Sequence, residues 1–166
     1  MLQIIKFPND ILREKMPEFD FSNPTIDPKQ LEKEMISVMF AHNGIGLAAN
    51  QVGVRARMFV MGQADYPDHA VGIFNPVVEE AMGTDETEEA CLSFPGIWAK
   101  VKRPKKIKAR WQDSSGEWQS AEIEDMTCRC FLHELDHLEG IVYQDRLSPL
   151  KWAMSVKKST KNKRKY

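Results

Sequence analysis

His133-Glu134-Leu135-Asp136-His137 is the run with the clearest chemical reading. Positions four apart stack on one face of an α-helix, so His133 and His137 can grip a single ion. Glu134 stands about 100° further round, close enough to reach a water on that ion without being a ligand. The chain has four histidines, and two of them bracket this glutamate, which weighs against a surface helix with incidental histidines. An HExxH run alone most often marks a zinc protease, so the third ligand decides. One protease class continues as HExxHxxGxxH; Gly140 fits, but Tyr143 stands where the last histidine belongs. The other class takes a glutamate from a later helix, and no acidic residue follows Asp145. The third ligand must come from upstream.

Cys91, Cys128, Cys130, His42 and His69 are the upstream candidates. Cys130 would have to reach the ion from the preceding turn of the same helix, a cramped geometry, and it reads as a small buried core residue. Cys128 lies two residues away and points in another direction. His42, near a helix end, and His69, in a polar loop, read as exposed. Cys91 sits in Glu88-Glu89-Ala90-Cys91-Leu92-Ser93-Phe94-Pro95-Gly96, a segment of loop character where a cysteine has little packing to do. It is the favoured ligand. One cysteine and two histidines leave a fourth position for water, the catalytic arrangement rather than the structural one. A metal lowers the pKa of such a water toward about 7, and Glu134 can accept its proton. The chemistry is metal-assisted hydrolysis of a carbonyl compound.

The elements that must position these groups can be read coarsely. Asn9 to Met16 is a short helix capped by Asn9 and stopped by Pro17. A second helix has Asp27 as cap and Pro28 at its first position. Leu31, Met35, Val38 and Met39 recur along it at helical spacing, and Asn43-Gly44 ends it. Strand-like runs follow at 57–61, 71–78, 106–111 and 117–123, the last two flanking the turn Asp113-Ser114-Ser115-Gly116. A final helix runs from about Asp125, its cap, to Glu139, with Gly140 closing it. The order predicts an α+β fold: antiparallel sheets packed around a central C-terminal HExxH helix, in a single domain.

Composition sets the outer bounds. With 166 residues, 42% of them hydrophobic and 28% charged, there is enough for one domain with a core, and disorder does not fit. No stretch approaches the roughly 20 apolar residues of a membrane span, and the start MLQIIKFPND lacks the parts of a signal peptide. No membrane partner and a cytoplasmic setting are expected. Three cysteines make no disulfide scaffold. The net charge of −1 hides two unlike parts, because Lys157, Lys158, Lys161, Lys163, Arg164 and Lys165 follow a body of −7. Residues 1–150 read as the catalytic unit and 151–166 as a basic C-terminal tail, solvated and flexible.

Three segments together, Gly44-Ile45-Gly46-Leu47-Ala48-Ala49-Asn50-Gln51, Glu89-Ala90-Cys91-Leu92-Ser93 and His133-Glu134-Leu135-Asp136-His137-Leu138, resemble the peptide deformylase family in order and spacing. The likeness extends from Pro8-Asn9-Asp10 and Leu12-Arg13 to Leu147-Ser148-Pro149-Leu150. It implies removal of the formyl group from the N-terminal formyl-methionine of new polypeptides, with release of formate. On that likeness Cys91, His133 and His137 hold the metal, and a water on it attacks the formyl carbonyl. Glu134 serves as general base and then general acid. Gln51 and the backbone N–H of Leu92 donate to the oxyanion. Ile45, Gly46 and Ala90 bind the peptide backbone in strand fashion. The metal implied is one divalent ion, Fe(II) by resemblance, with Zn, Ni or Co able to substitute. Partners implied are N-formylmethionyl peptides and, through the basic tail, the ribosome; a monomer is expected.

Some residues depart from the family pattern. Ala90 replaces the usual glycine before the cysteine, which costs little if its φ is negative and strains the chain if positive. Leu132 stands where glutamine is frequent. Arg129, four residues before His133, takes a place where the family tends to have an apolar pocket wall. Its side chain is expected either to snorkel to the pocket rim or to bias the first side-chain pocket by contacting substrate. Trp98 can border the cleft or pack in the core. A zinc peptidase would explain only the HExxH run, and a nucleic-acid module only the tail, against which the −7 body argues.

Overall fold

Asp27 accepts a hydrogen bond from the backbone N–H of Gln30 at 2.7 Å, and Pro28 follows at the first helical position. Together they start α1 (Pro28–Ala41), as the sequence predicts. A computed structural model describes residues 2–163. The predicted first helix is shorter, a 3-10 turn (Asp10–Arg13) on which Asn9 is the cap. Seven strands follow α1: β1 (Gly46–Ala48), β2 (Met58–Gln63), β3 (Tyr66–Met82), β4 (Asp85–Cys91), β5 (Phe94–Arg103), β6 (Lys106–Gln112) and β7 (Trp118–Glu124). A 3-10 turn (Ala49–Val52) separates β1 from β2. Helices α2 (Asp125–Leu138) and α3 (Pro149–Lys163) complete the chain.

All pairings are antiparallel. Strands β1-β2-β3-β6-β7 form one sheet and the hairpin β4–β5 a second, two-stranded one. Alternation along β2 sends Phe59 to one face of the large sheet and Met58 and Val60 to the other. On the first face Phe59 meets Phe131 of α2 edge to face, with ring centroids 5.1 Å apart. On the second, Met58, Val60 and Phe74 pack with Leu31, Met35 and Met39, the buried stripe of α1. The large sheet thus lies between α1 and α2, and the β4–β5 hairpin packs against α2 through Phe94, Ala99 and Val101.

The α+β class with antiparallel sheets stands, but three parts of the predicted architecture need correction. The helix carrying His133 and His137 is not the C-terminal one, because α3 follows it. The segment read as a flexible tail is helical through Lys163; Arg164 and Lys165 lie outside the described residues. Trp152 of α3 stacks edge to face on Phe94 and Tyr143, with ring centroids 5.6 and 5.5 Å away, which holds the helix against the β5 hairpin. The Cys91 segment, read as a loop, is paired strand up to a two-residue turn at Leu92-Ser93.

Both ends of α2 show how the chain enters and leaves the helix. Strand β7 runs straight into it, so the corner falls on Asp125 at φ 54, a left-handed backbone that aspartate tolerates. Its N–H bonds Lys105 O, and no side-chain cap is made, so the predicted Asp125 cap is absent. Gly140 behaves as predicted: at φ 72 it closes a Schellman motif, with Gly140 N–H on His137 O and Ile141 N–H on Asp136 O. A Cβ there would lie 2.4 Å from Arg13 O, a backbone atom that cannot step aside. Gly140→Ala is expected to destabilise the fold by at least about 1–2 kcal/mol from the left-handed backbone alone, read as a lowered urea midpoint at unchanged slope.

Candidate metal centre

Strand β4 and helix α2 meet at the site. On β4, Glu89 and Cys91 are two residues apart and both turn inward. On α2, His133 and His137 share a face, as the spacing requires. The Cys91 Sγ atom and one ring nitrogen from each histidine lie within 4.8 Å of one another, and all three residues are buried. Cys91 Sγ is 3.3 Å from His137 Nε2. Thiolate and imidazole on one tetrahedral ion stand about 3.6 Å apart by ordinary bond lengths, so the donor set fits a divalent ion. This corrects the expectation built on the helix: the group that can hold a metal is Cys91-His133-His137, drawn from two elements, and not the HExxH run itself.

Glu89 supports this group, although no role for it was read from the sequence. His133 Nδ1 lies 2.9 Å from Glu89 Oε2, so Nδ1–H donates there and Nε2 is left to face Cys91. Glu89 also takes both arms of Arg103, whose Nη1 donates to Asp136 at 2.9 Å; Asp136 in turn holds Arg146. Burial would raise the Glu89 carboxyl, but donation from His133 and Arg103 holds it at about 2. Burial likewise opposes the charge on Arg103, and Glu89 and Asp136 outweigh it.

The remaining predicted residues ring the cleft, of about 590 Å³, beside this group. Gln51 is buried; its Oε1 accepts from Ala48 N–H at 2.9 Å, and its Nε2 points at Cys91 Sγ (3.5 Å) and Ser93 Oγ (3.2 Å). Glu134 is buried, and that burial raises its carboxyl to about 7 against the pull of His133. Its Oε2 has no hydrogen-bond partner. Gly46 runs so close that a Cβ would sit 2.4 Å from Glu134 Oε1 and 2.7 Å from Cys130 Sγ, which explains glycine there. Ile45, Ala90 and Leu92 line the same cleft, Ile45 46% exposed. Ala90 is not among the positive-φ residues, so alanine carries no backbone strain there. Trp98 is 56% exposed on the cleft wall and is not core.

Arg129 does not reach the rim. It is 5% exposed, and its guanidinium bonds Glu89 and the backbone. Cys128 and Cys130 are buried, the Cys130 thiol donating to Ile45 O at 3.3 Å. His42 and His69 are exposed, His69 within β3 rather than a loop.

A family model described as polypeptide deformylase matches residues 1–153. A peptide deformylase of Thermotoga sp. (strain RQ2) is 38% identical over 160 residues, 95% of this chain and 94% of that one. The crystal structure of a peptide deformylase from Legionella pneumophila superposes with a TM-score of 0.86 at 33% identity, over 99% of this chain and 96% of that one. The Met-Ala-Ser-bound crystal structure of the class I type b peptide deformylase from Acinetobacter baumannii gives a TM-score of 0.81 at 29% identity, over 89% and 98%. Fold and site define a metal-dependent amide hydrolase. The chain belongs to the peptide deformylase family.

Arg103→Met would leave the buried Glu89 and Asp136 carboxylates short of their shared cation. Stability is expected to fall by about 3–5 kcal/mol, the usual cost of breaking a buried pair, measured by urea unfolding.

Proposed function

We propose that the chain hydrolyses the formyl amide of N-terminal formyl-methionine on new polypeptides and releases formate. Cys91, His133 and His137 hold one divalent ion, Fe(II) in the cell, with Zn, Ni or Co as substitutes. The carrying observation is the convergence of a thiol and two imidazoles within 4.8 Å, beside a buried glutamate with a free oxygen. When bound, a divalent ion polarises the formyl carbonyl and lowers the pKa of water.

The chain's own groups do the rest. Glu134 takes a proton from water as the new C–O bond forms, and gives it to the leaving amine as the C–N bond breaks. Gln51 Nε2 and the Leu92 N–H donate to the oxygen on which charge develops. Ile45, Gly46 and Ala90 hold the peptide main chain, and the missing side chain at Gly46 lets its own strand lie against Glu134. Formate release from formyl-Met-Ala-Ser is expected to fall about 10²–10⁴-fold in Glu134→Ala. Retained activity would overturn the assignment of the base.

The basic residues of α3 support a second part of the reading, salt-sensitive attraction to ribosomal RNA. Lys157, Lys158 and Lys161 are exposed on that helix, and among the described residues only Lys158 of the three has an acid near it, Glu88 at 3.9 Å. Removing residues 157–166 is expected to reduce co-sedimentation with ribosomes at low salt and to change nothing at high salt. Equal binding by both forms at low salt removes this part.

A further inference from the structure

Arg129 borders the cleft, yet three hydrogen bonds turn its guanidinium toward the protein. Nη1 donates to Glu89 Oε1 at 2.8 Å and to Val101 O at 2.9 Å, and Nη2 donates to Asp85 O at 3.2 Å. The Asp85 carboxylate lies 3.8 Å from Nη2. Asp85 and Glu89 belong to β4 and Val101 to β5, so one side chain of α2 grips both strands of the hairpin. Cys91 follows Glu89 by two residues, and His133 follows Arg129 by one helical turn. The side chain therefore bridges the element with one metal donor and the element with the other two.

The Glu89 carboxylate shows what the bridge fixes. Oε1 accepts from Arg129 and Arg103, and Oε2 from Arg103 at 3.0 Å and His133 at 2.9 Å. With donors on both oxygens the carboxylate cannot rotate without losing one of them, and the His133 ring is held with it. We propose that Arg129 is a positioning residue for the metal centre, setting Cys91 against the His133 ring through Glu89 and the hairpin backbone. The proposal rests on the reading of Cys91, His133 and His137 as the ligands. A side chain that read the substrate would aim its donors at the cleft, whereas these hydrogen bonds tie both terminal nitrogens to β4 and β5.

The test uses cobalt(II)-loaded full-length protein: wild type, Arg129→Met, Arg129→Lys and Phe74→Leu. Phe74 belongs to the separate core under α1 and serves as a control for general loss of stability. Arg129→Met is expected to shorten cobalt retention against a chelator about tenfold and to shift the thiolate-to-cobalt absorption band. Arg129→Lys keeps the charge but not the fork, and falls between. Phe74→Leu is expected to lower Tm with retention and band unchanged. Wild-type retention in the Arg129 variants, or a raised KM for formyl-Met-Ala-Ser with retention and band unchanged, overturns the proposal. So does an equal loss of retention in Phe74→Leu. Should Arg129→Met fail to fold, Arg129→Lys is judged by the same comparisons. A wild type that takes up no cobalt would instead sink the ligand reading itself, and the positioning role with it.

Discussion

A carboxylate shut away from water governs this molecule. Glu89 is 5% exposed and stands on the strand that carries Cys91. An ionised group in that setting is tolerated only when every lone pair is met with good geometry. Meeting them draws in Arg103 from β5 and Arg129 and His133 from α2, while Asp136 and Arg146 extend the chain of charges outward. The two-stranded sheet shares no strand with the large one. Its position relative to α2 is therefore set by this network and by Phe94, Ala99 and Val101 beneath it. The distance between thiol and imidazoles follows from that position.

Where local signals were strong, the fold was legible. Asp27-Pro28 and the Leu31/Met35/Val38/Met39 stripe gave α1 at its true start, with Val38 only half-buried, and Asp113 to Gly116 gave the β6–β7 hairpin. The β4–β5 hairpin escaped because Asp85-Glu86-Thr87-Glu88-Glu89 has no apolar alternation. Its strand character lies in its partner: Glu86 faces Lys102 and Glu88 faces Lys100 across the ladder, a pattern invisible until the register is known. The same reason hid the end of α2. Asp125 looks like a cap, but β7 delivers the chain at an angle that spends its N–H on Lys105.

At the site, the paired histidines and Glu134 announced themselves by spacing, and Cys91 emerged once the downstream ligands had been excluded. Gln51 acquired a role only through resemblance. Glu89 and Arg103 stayed silent because each acts through a contact that the chain's own order does not bring near: Arg103 meets Glu89 across 14 residues and Asp136 across 33. Arg129 was noticed for its helix face, but its partners on β4 and β5 lie 28 to 44 residues away. A residue type can suggest chemistry, whereas the partner that disciplines it depends on topology.

The two rims of the large sheet, β1 and β7, carry a further consequence. A sheet rim offers unpaired main-chain groups to any passing chain and so invites self-association. β7 is seven residues long and largely exposed, and it carries Glu122 and Glu124, with Lys106 bound to Glu122, so a second copy pairing there would bring like charges together. β1 has no such charges. It spans only Gly46–Ala48, wholly buried, too short and too recessed for another folded protein to reach. The proposed substrate, a slender and extended chain end, is of the kind such a rim could take. On the proposed function, one rim is left for an unfolded polypeptide while the charges of the other discourage a second copy.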